Sequence, residues 1–317
     1  MKRILTLLAA LVFLAGALPL QAAPSRRGHP APPPPRPPWR AAIVADAATG
    51  AILFQKNADE PLPPASLTKV LSLYLAFEAV RQGKARWSDP VRISRKAWRM
   101  EGSRMFLDVG TDVSLGDLVL GTAIVSANDA ALALAEHLGG TEAGFVAAMN
   151  ARAQTLGMSR SRFANPHGLP AEGQFTTARD MLRLTRAYLS RFPAALTVHA
   201  RQNFTYNGIS QRNRNRLLRQ YPGADGVKTG YICESGYNLI ATARRGNTRL
   251  VAVVLGATTP VVRARETIRL LDEGFARMGV PPPPAQTGND AARPRNGARP
   301  RRPAREGIAA GGAPYPA

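Results

Sequence analysis

Three short runs in the 317-residue chain bring together residue types that can do nucleophilic chemistry. Ser66 and Lys69 stand three residues apart in Ala65-Ser66-Leu67-Thr68-Lys69, directly before an apolar run from Val70 to Val80. On a helix, that spacing puts hydroxyl and amine on one face. A serine hydroxyl is a weak nucleophile until a neighbouring base takes its proton. A lysine amine can be that base once burial or nearby positive charge lowers its pKa. Ser126-Ala127-Asn128 and then Lys228-Thr229-Gly230 follow along the chain. Each run alone has a plain reading: an ordinary helix start, a capping turn, an exposed strand end. Together, in this order, they form a specific signal.

The elements that must position them are legible in outline. Ala41–Asp46 and Ala51–Gln55 read as two strands joined by a turn at Gly50, and the Ser66 helix follows. Leu115 to Leu138 reads as helical with a break at Val125–Asp129, Asp129 serving as N-cap for Ala130–His137. Glu142–Leu156 and Ala178–Ser190 are further amphipathic helices, separated by a loop at Phe163–Leu169. Asn203–Tyr206 reads as a strand that either pairs into a hairpin or continues to the loop around Asn213. Gly226–Tyr231, Tyr237–Ala243 and Arg249–Ala257 are strands, and the wholly apolar Val251–Leu255 belongs at the sheet centre. Pro260–Met278 closes the core as a helix. Strands at both ends around a helical middle predict an α+β arrangement of the α/β class: an antiparallel sheet flanked by terminal helices, with an inserted helical region.

Both ends differ from this middle. Lys2-Arg3 precedes an apolar stretch from Ile4 to Ala17, and small residues then suit cleavage after Ala22 or Ala23. That is a secretory signal pattern over residues 1–23, and the stretch is short for a membrane span. Residues 24–40 are dominated by proline and read as an extended linker, and 281–317 as a Pro/Arg/Gly/Ala tail too poor in apolar side chains to order itself. The expected folded domain is 41–280, exported to the periplasm or cell envelope. The net charge is +21, of which +6 falls in residues 1–40, +4 in 281–317 and +11 in between. Such a chain favours anionic surfaces, and its basic ends can attract a wall or membrane surface weakly. No nucleic-acid-binding signature accompanies the charge. Cys233 is the only cysteine, so no internal disulfide forms, and the four histidines lack metal-ligand spacing. No metal or cofactor is expected.

From Ala41 to Met278 the chain resembles the low-molecular-mass penicillin-binding proteins, the serine-type D-alanyl-D-alanine carboxypeptidases with a β-lactamase/transpeptidase-like fold. The three runs carry the resemblance. So do Gly102–Leu107, Asn165-Pro166-His167-Gly168-Leu169, Thr177–Met181, Asn213-Arg214-Asn215, Asp225–Tyr231 and Ser235–Leu239. The resemblance implies that Ser66 attacks the carbonyl between two D-alanines of a peptidoglycan stem peptide and that Lys69 takes its proton. It implies that Ser126 relays a proton to the leaving amine and that Asn128 orients Lys69 and meets the substrate amide. Lys228 and Thr229 would hold the terminal carboxylate, Gly230 would let the substrate backbone approach, and the N–H groups of Ser66 and Tyr231 would form the oxyanion hole. Arg265 is the expected substrate-side arginine, and His167 a loop-stabilising residue. β-Lactam antibiotics are expected to acylate Ser66.

Removal of the terminal D-alanine is the leading expectation. D,D-endopeptidase action on crosslinks uses the same residues, and the β-domain and amphipathic helix that some relatives carry after the catalytic domain have no counterpart in the pattern after Met278. A β-lactamase needs a carboxylate that activates water; Glu172 and Asp180 are the candidates. A non-catalytic penicillin-binding wall protein would have lost reactive residues that are all present here.

Overall fold

The computed structural model describes residues 37–283. The expected leader, most of the linker and the tail lie outside the described residues. Trp39 and Arg40, expected at the linker's end, belong to the folded body. Trp39 is 5% exposed and meets Phe54 edge-on, and Arg40 N–H bonds the Leu255 carbonyl at 2.9 Å. One large aromatic ring is enough to draw the end of a proline-rich run into the core.

The chain opens with strands β1 (Ala41–Asp46) and β2 (Ile52–Lys56). A 3₁₀ turn, Ala65–Thr68, leads into helix α1 (Lys69–Arg81). The inserted region holds β3 (Pro90–Arg92), α2 (Arg95–Trp98), β4 (Asp112–Ser114), α3 (Leu115–Leu120), a π turn at Gly121–Val125, α4 (Asn128–Gly139) and α5 (Glu142–Thr155). Then come α6 (Ala178–Arg191), α7 (Ala195–His199), the hairpin β5 (Asn203–Tyr206) and β6 (Ile209–Arg212), and α8 (Leu217–Gln220). Strands β7 (Ala224–Ile232), β8 (Gly236–Arg245) and β9 (Thr248–Ala257) and helix α9 (Pro260–Arg277) complete it. Side-chain caps mark several helix starts: Thr141, Thr177 and Thr259 accept from the N–H of Gly144, Asp180 and Val262.

The main sheet runs β2-β1-β9-β8-β7, antiparallel throughout, with the apolar β9 at its centre as expected. Alternation along the strands divides two cores. Ile43, Val251 and Val253 face α1 and the helical insertion, whereas Val44, Leu250 and Val254 face α9 through Leu270, Leu271 and Phe275. Both sheet faces are covered, which is why β1 and β9 read as apolar runs rather than alternating ones. Strand β7, at the sheet edge, packs beside the Ala65–Thr68 turn. That edge is where the second and third chemical runs meet the first.

Candidate active site

Ser66 and Lys69 occupy the 3₁₀ turn and its junction with α1. Three residues make one 3₁₀ turn, so i and i+3 eclipse. Lys69 Nζ lies 3.1 Å from Ser66 Oγ. It also donates to Asn128 Oδ1 and to the His167 carbonyl, each at 2.6 Å. The lysine is fully buried. Burial first, then the charges of Lys228 and Arg214, push its pKa well below the ordinary lysine value, against an opposing pull from Asp129. A neutral amine has two N–H donors and one lone pair. A neutral Lys69 would spend both donors on the two short contacts and keep its lone pair for the Ser66 hydroxyl. The arrangement is that of a general base on its nucleophile.

The turn is braced from outside. Ala65, just before the nucleophile, has φ +49°, a strained value for a residue with a Cβ. The loop Asn165–Leu169 lies against it. Asn165 Oδ1 accepts from Gly168 N–H at 2.7 Å, and Ser72 Oγ donates to the Pro166 carbonyl at 2.7 Å. A Cβ on Gly168 would stand 1.9 Å from the Ala65 carbonyl oxygen. His167 is buried, and its Nδ1 accepts from Leu169 N–H at 3.2 Å. Burial, Lys69 and Lys96 lower its pKa to about 3, so it is a neutral loop residue whose carbonyl, rather than its ring, serves the site.

Ser126 ends the π turn in the left-handed region, φ +68°, and lines the cleft with Ser66. Irregular helix of this kind aims one side chain out of the helical path. Among the described residues its hydroxyl makes no hydrogen bond to Lys69. Asn128 meets Lys69 with its oxygen, but its amide nitrogen donates to the Glu101 carbonyl at 2.6 Å. Asp129 is not the N-cap expected, because α4 begins two residues earlier, at Asn128, and Ala127 holds that position. Its carboxylate instead accepts from the N–H groups of Met105, Phe106 and Leu107 at 3.1, 3.0 and 3.3 Å. The carboxylate also takes one first-turn donor of α4, the Ala130 N–H at 2.9 Å, beside these three backbone donors.

Strand β7 brings Lys228, Thr229, Gly230 and Tyr231. Lys228 is 2% exposed, and its Nζ donates to the Thr229 carbonyl at 3.0 Å. Burial, Arg214 and Arg263 lower its pKa to about 7. Gly230 is also constrained by the packing of the protein itself. A Cβ there would lie 3.1 Å from Ser66 N and 3.2 Å from Ala65 Cβ, so its smallness lets β7 approach the nucleophile's turn. The Tyr231 ring is half exposed and stacks on Tyr237 at 4.3 Å.

Ser66, Ser103, Ser126, Thr229, Gly230 and Tyr231 share one cleft of 510 Å³. Arg265 does not line it. Its side chain is 65% exposed, and its Nε pairs with Glu266 at 3.1 Å. Arg263, two residues earlier and 6% exposed, enters the cleft instead. The signal lay in helical periodicity: Arg263 shares the buried face of α9 with Thr267, Leu270 and Leu271, and Arg265 falls on the other side. The two carboxylates weighed as water activators lie elsewhere. Glu172 borders a separate hollow with Pro63 and Glu234. Asp180 is buried, accepting from Arg160 N–H and Ser161 Oγ and pairing with Arg183. No Asp or Glu is among the residues lining the cleft.

Known proteins resemble this chain in sequence and fold. The chain is 43% identical over 243 residues to the D-alanyl-D-alanine carboxypeptidase DacC of Escherichia coli, covering 74% of this chain and spanning 61% of that relative's length. Penicillin-binding protein 5 of Haemophilus influenzae superposes with a TM-score of 0.74 at 40% identity, over 77% of this chain and 72% of that one. Penicillin-Binding Protein D2 of Listeria monocytogenes, solved in an ampicillin-bound form, superposes with a TM-score of 0.70 at 32% identity, over 77% of this chain and all of that one. Residues 32–259 match the family described as D-alanyl-D-alanine carboxypeptidase, and the chain belongs to that family.

Proposed function

We propose that the protein is a serine D-alanyl-D-alanine carboxypeptidase that removes the terminal D-alanine of peptidoglycan stem peptides. The observation that carries the reading is Lys69: a buried amine that donates to Asn128 Oδ1 and the His167 carbonyl and lies 3.1 Å from Ser66 Oγ. Lys69 takes the hydroxyl proton as Oγ attacks the carbonyl between the two D-alanines. The N–H groups of Ser66 and Tyr231 stabilise the oxyanion, each worth about 3 kcal/mol in such sites. Collapse breaks the C–N bond, and Ser126, facing the cleft, passes the proton to the leaving amine. The acyl-enzyme ester at Ser66 is then hydrolysed by water. Lys228, Thr229 and Arg263 receive the terminal carboxylate, and the Arg263 Nε, buried without a partner among the described residues, fits that role.

A cleft without a carboxylate lacks the water activator of a fast β-lactamase. Penicillin therefore acylates Ser66 and leaves slowly. The leader-like residues 1–23 support export to the periplasm or cell envelope, where this substrate lies, and 24–36 and 281–317 act as linker and tail around the peptidase domain. Among the described residues no helix is long and apolar enough to cross a membrane. The reading is tested by incubating the protein with a monomeric pentapeptide muropeptide and with a crosslinked dimer. Release of D-alanine from the monomer is expected. Cleavage of dimers without loss of monomer pentapeptide assigns the protein as a D,D-endopeptidase instead.

A further inference from the structure

The carboxylate-binding group just described does not account for the charge in the cleft. Arg212, Arg214, Arg216 and Arg219 also line it. Their placement follows from the local fold. Asn213 and Asn215 are buried and stitched to backbone: Asn213 Nδ2 donates to the His199 and Arg201 carbonyls, and Asn215 Nδ2 to that of Gly226. Alternation then turns Arg212, Arg214 and Arg216 outward, and Arg219 lies three residues on, across α8. All four are exposed, and none has a salt bridge among the described residues. Several arginines elsewhere on the surface, Arg179, Arg245 and Arg249 among them, pair with a carboxylate. Uncompensated like charge in a concave site destabilises the free protein and raises the local concentration of anions.

The cations also have a direction. Arg263 and Arg214 act on Lys228, and Arg216 acts on Arg263. Arg216 thus lies near Arg263, the arginine assigned to the terminal carboxylate, and Arg219, three residues on, lines the same cleft. In the peptidase reading, on which this inference rests, that carboxylate belongs to the departing residue. Whatever lies beyond it is also part of the leaving group. We infer that Arg216 and Arg219 form a second anionic subsite on the leaving-group side of Ser66, selecting substrates whose departing residue carries a further carboxylate. The covalent steps are unchanged: the Ser66 ester forms, the C–N bond breaks, the proton goes to the leaving amine, and water regenerates the hydroxyl. The substrate class is an acyl-D-alanyl peptide with an acidic amine-side residue rather than D-alanine alone.

The test compares acyl-D-Ala-D-Glu with acyl-D-Ala-D-Gln, which differ only in the charge of the departing side chain. The full-length wild type is expected to favour D-Glu by about tenfold in kcat/KM, the effect of one charge-assisted hydrogen bond. Raising salt is expected to shrink that ratio. In an Arg216→Gln/Arg219→Gln variant the ratio is expected to fall to near unity, each protein serving as its own control. Equal rates on the two substrates in the wild type overturn the subsite, and a preference that survives the double substitution overturns its assignment to these arginines. Penicillin labelling on the same preparations separates this from failure of the peptidase reading: a folded wild type that neither labels nor releases D-alanine refutes that reading, whereas a labelled, active protein indifferent to charge refutes only the subsite.

Discussion

At the scale of single residues, two buried lysines govern the cleft, and their pKa values fall for the same reasons to different ends. Lys69 is the proposed base. Lys228, at about 7, carries a charge that is present below that pH and lost above it. In the proposed reading, the substrate's terminal carboxylate loses this partner as pH rises through 7. KM for a peptide substrate is therefore expected to climb above pH 7, and a Lys228→Arg variant to lack that limb, since guanidinium stays charged. A KM that stays flat as pH passes through 7 contradicts the assignment. The same depressed value has a cost in stability. Between pH 7 and the ordinary lysine value the unfolded chain binds a proton that the folded chain does not. Lys228 therefore destabilises most at and below pH 7, and the burden lifts as pH rises toward 10.5. Lys228→Met is expected to raise unfolding stability at pH 7 by on the order of a few kcal/mol while abolishing turnover. Urea unfolding of the two proteins decides this: a less stable variant shows that the Thr229 carbonyl contact outweighs desolvation.

At the scale of elements, the site depends on surfaces brought unusually close. The Asn165–Leu169 loop, the 3₁₀ turn and β7 meet at positions where a methyl group does not fit. Gly168→Ala adds a Cβ at φ +85° and 1.9 Å from the Ala65 carbonyl oxygen. The expected cost is about 3 kcal/mol or more, with loss of penicillin labelling as the strained turn at Ala65 shifts. Gly230→Ala meets only contacts of 3.1 Å and beyond. It is expected to leave the protein folded but to slow acylation, because β7 must retreat from Ser66. Circular dichroism beside labelling kinetics distinguishes these: equal damage to fold and labelling in both variants contradicts the argument. Asp129 belongs to this scale too. Its carboxylate accepts from Ala130 N–H in the first turn of α4 and ties the Met105–Leu107 backbone to that helix, beside Ser103 and Ser126.

At the scale of the whole molecule, the charge of +21 predicts attraction to anionic wall polymer, carried by the folded body and by both basic ends. Retention on isolated peptidoglycan is expected to be strong at about 0.05 M salt and largely lost at about 0.5 M, where screening falls to a few ångströms. Retention insensitive to salt points to contacts of another kind. The fold places this charge unevenly. Carboxylates neutralise many surface arginines, while the cleft is left cationic.

The sequence by itself determined the antiparallel sheet, the place of β9 at its centre, the inserted helices, and the three runs that hold Ser66, Lys69, Ser126, Asn128 and Lys228. These were legible because period-2 and period-3.6 patterns and i,i+3 spacing are local properties of the chain. Only the tertiary structure decided what those residues do to one another. That Lys69 donates to the His167 carbonyl, 98 positions away, depends on the packing of a loop on a helix. That Asp129 clamps a loop as well as the first turn of α4 depends on which backbone donors lie nearby. Gly230 serves the turn of Ser66 because two elements distant in sequence touch there. The choice between Arg263 and Arg265 was local and could have been read from the buried face of α9. The convergence of five arginines on a cleft without a carboxylate could not, since charge compensation is settled by neighbours in space rather than in sequence.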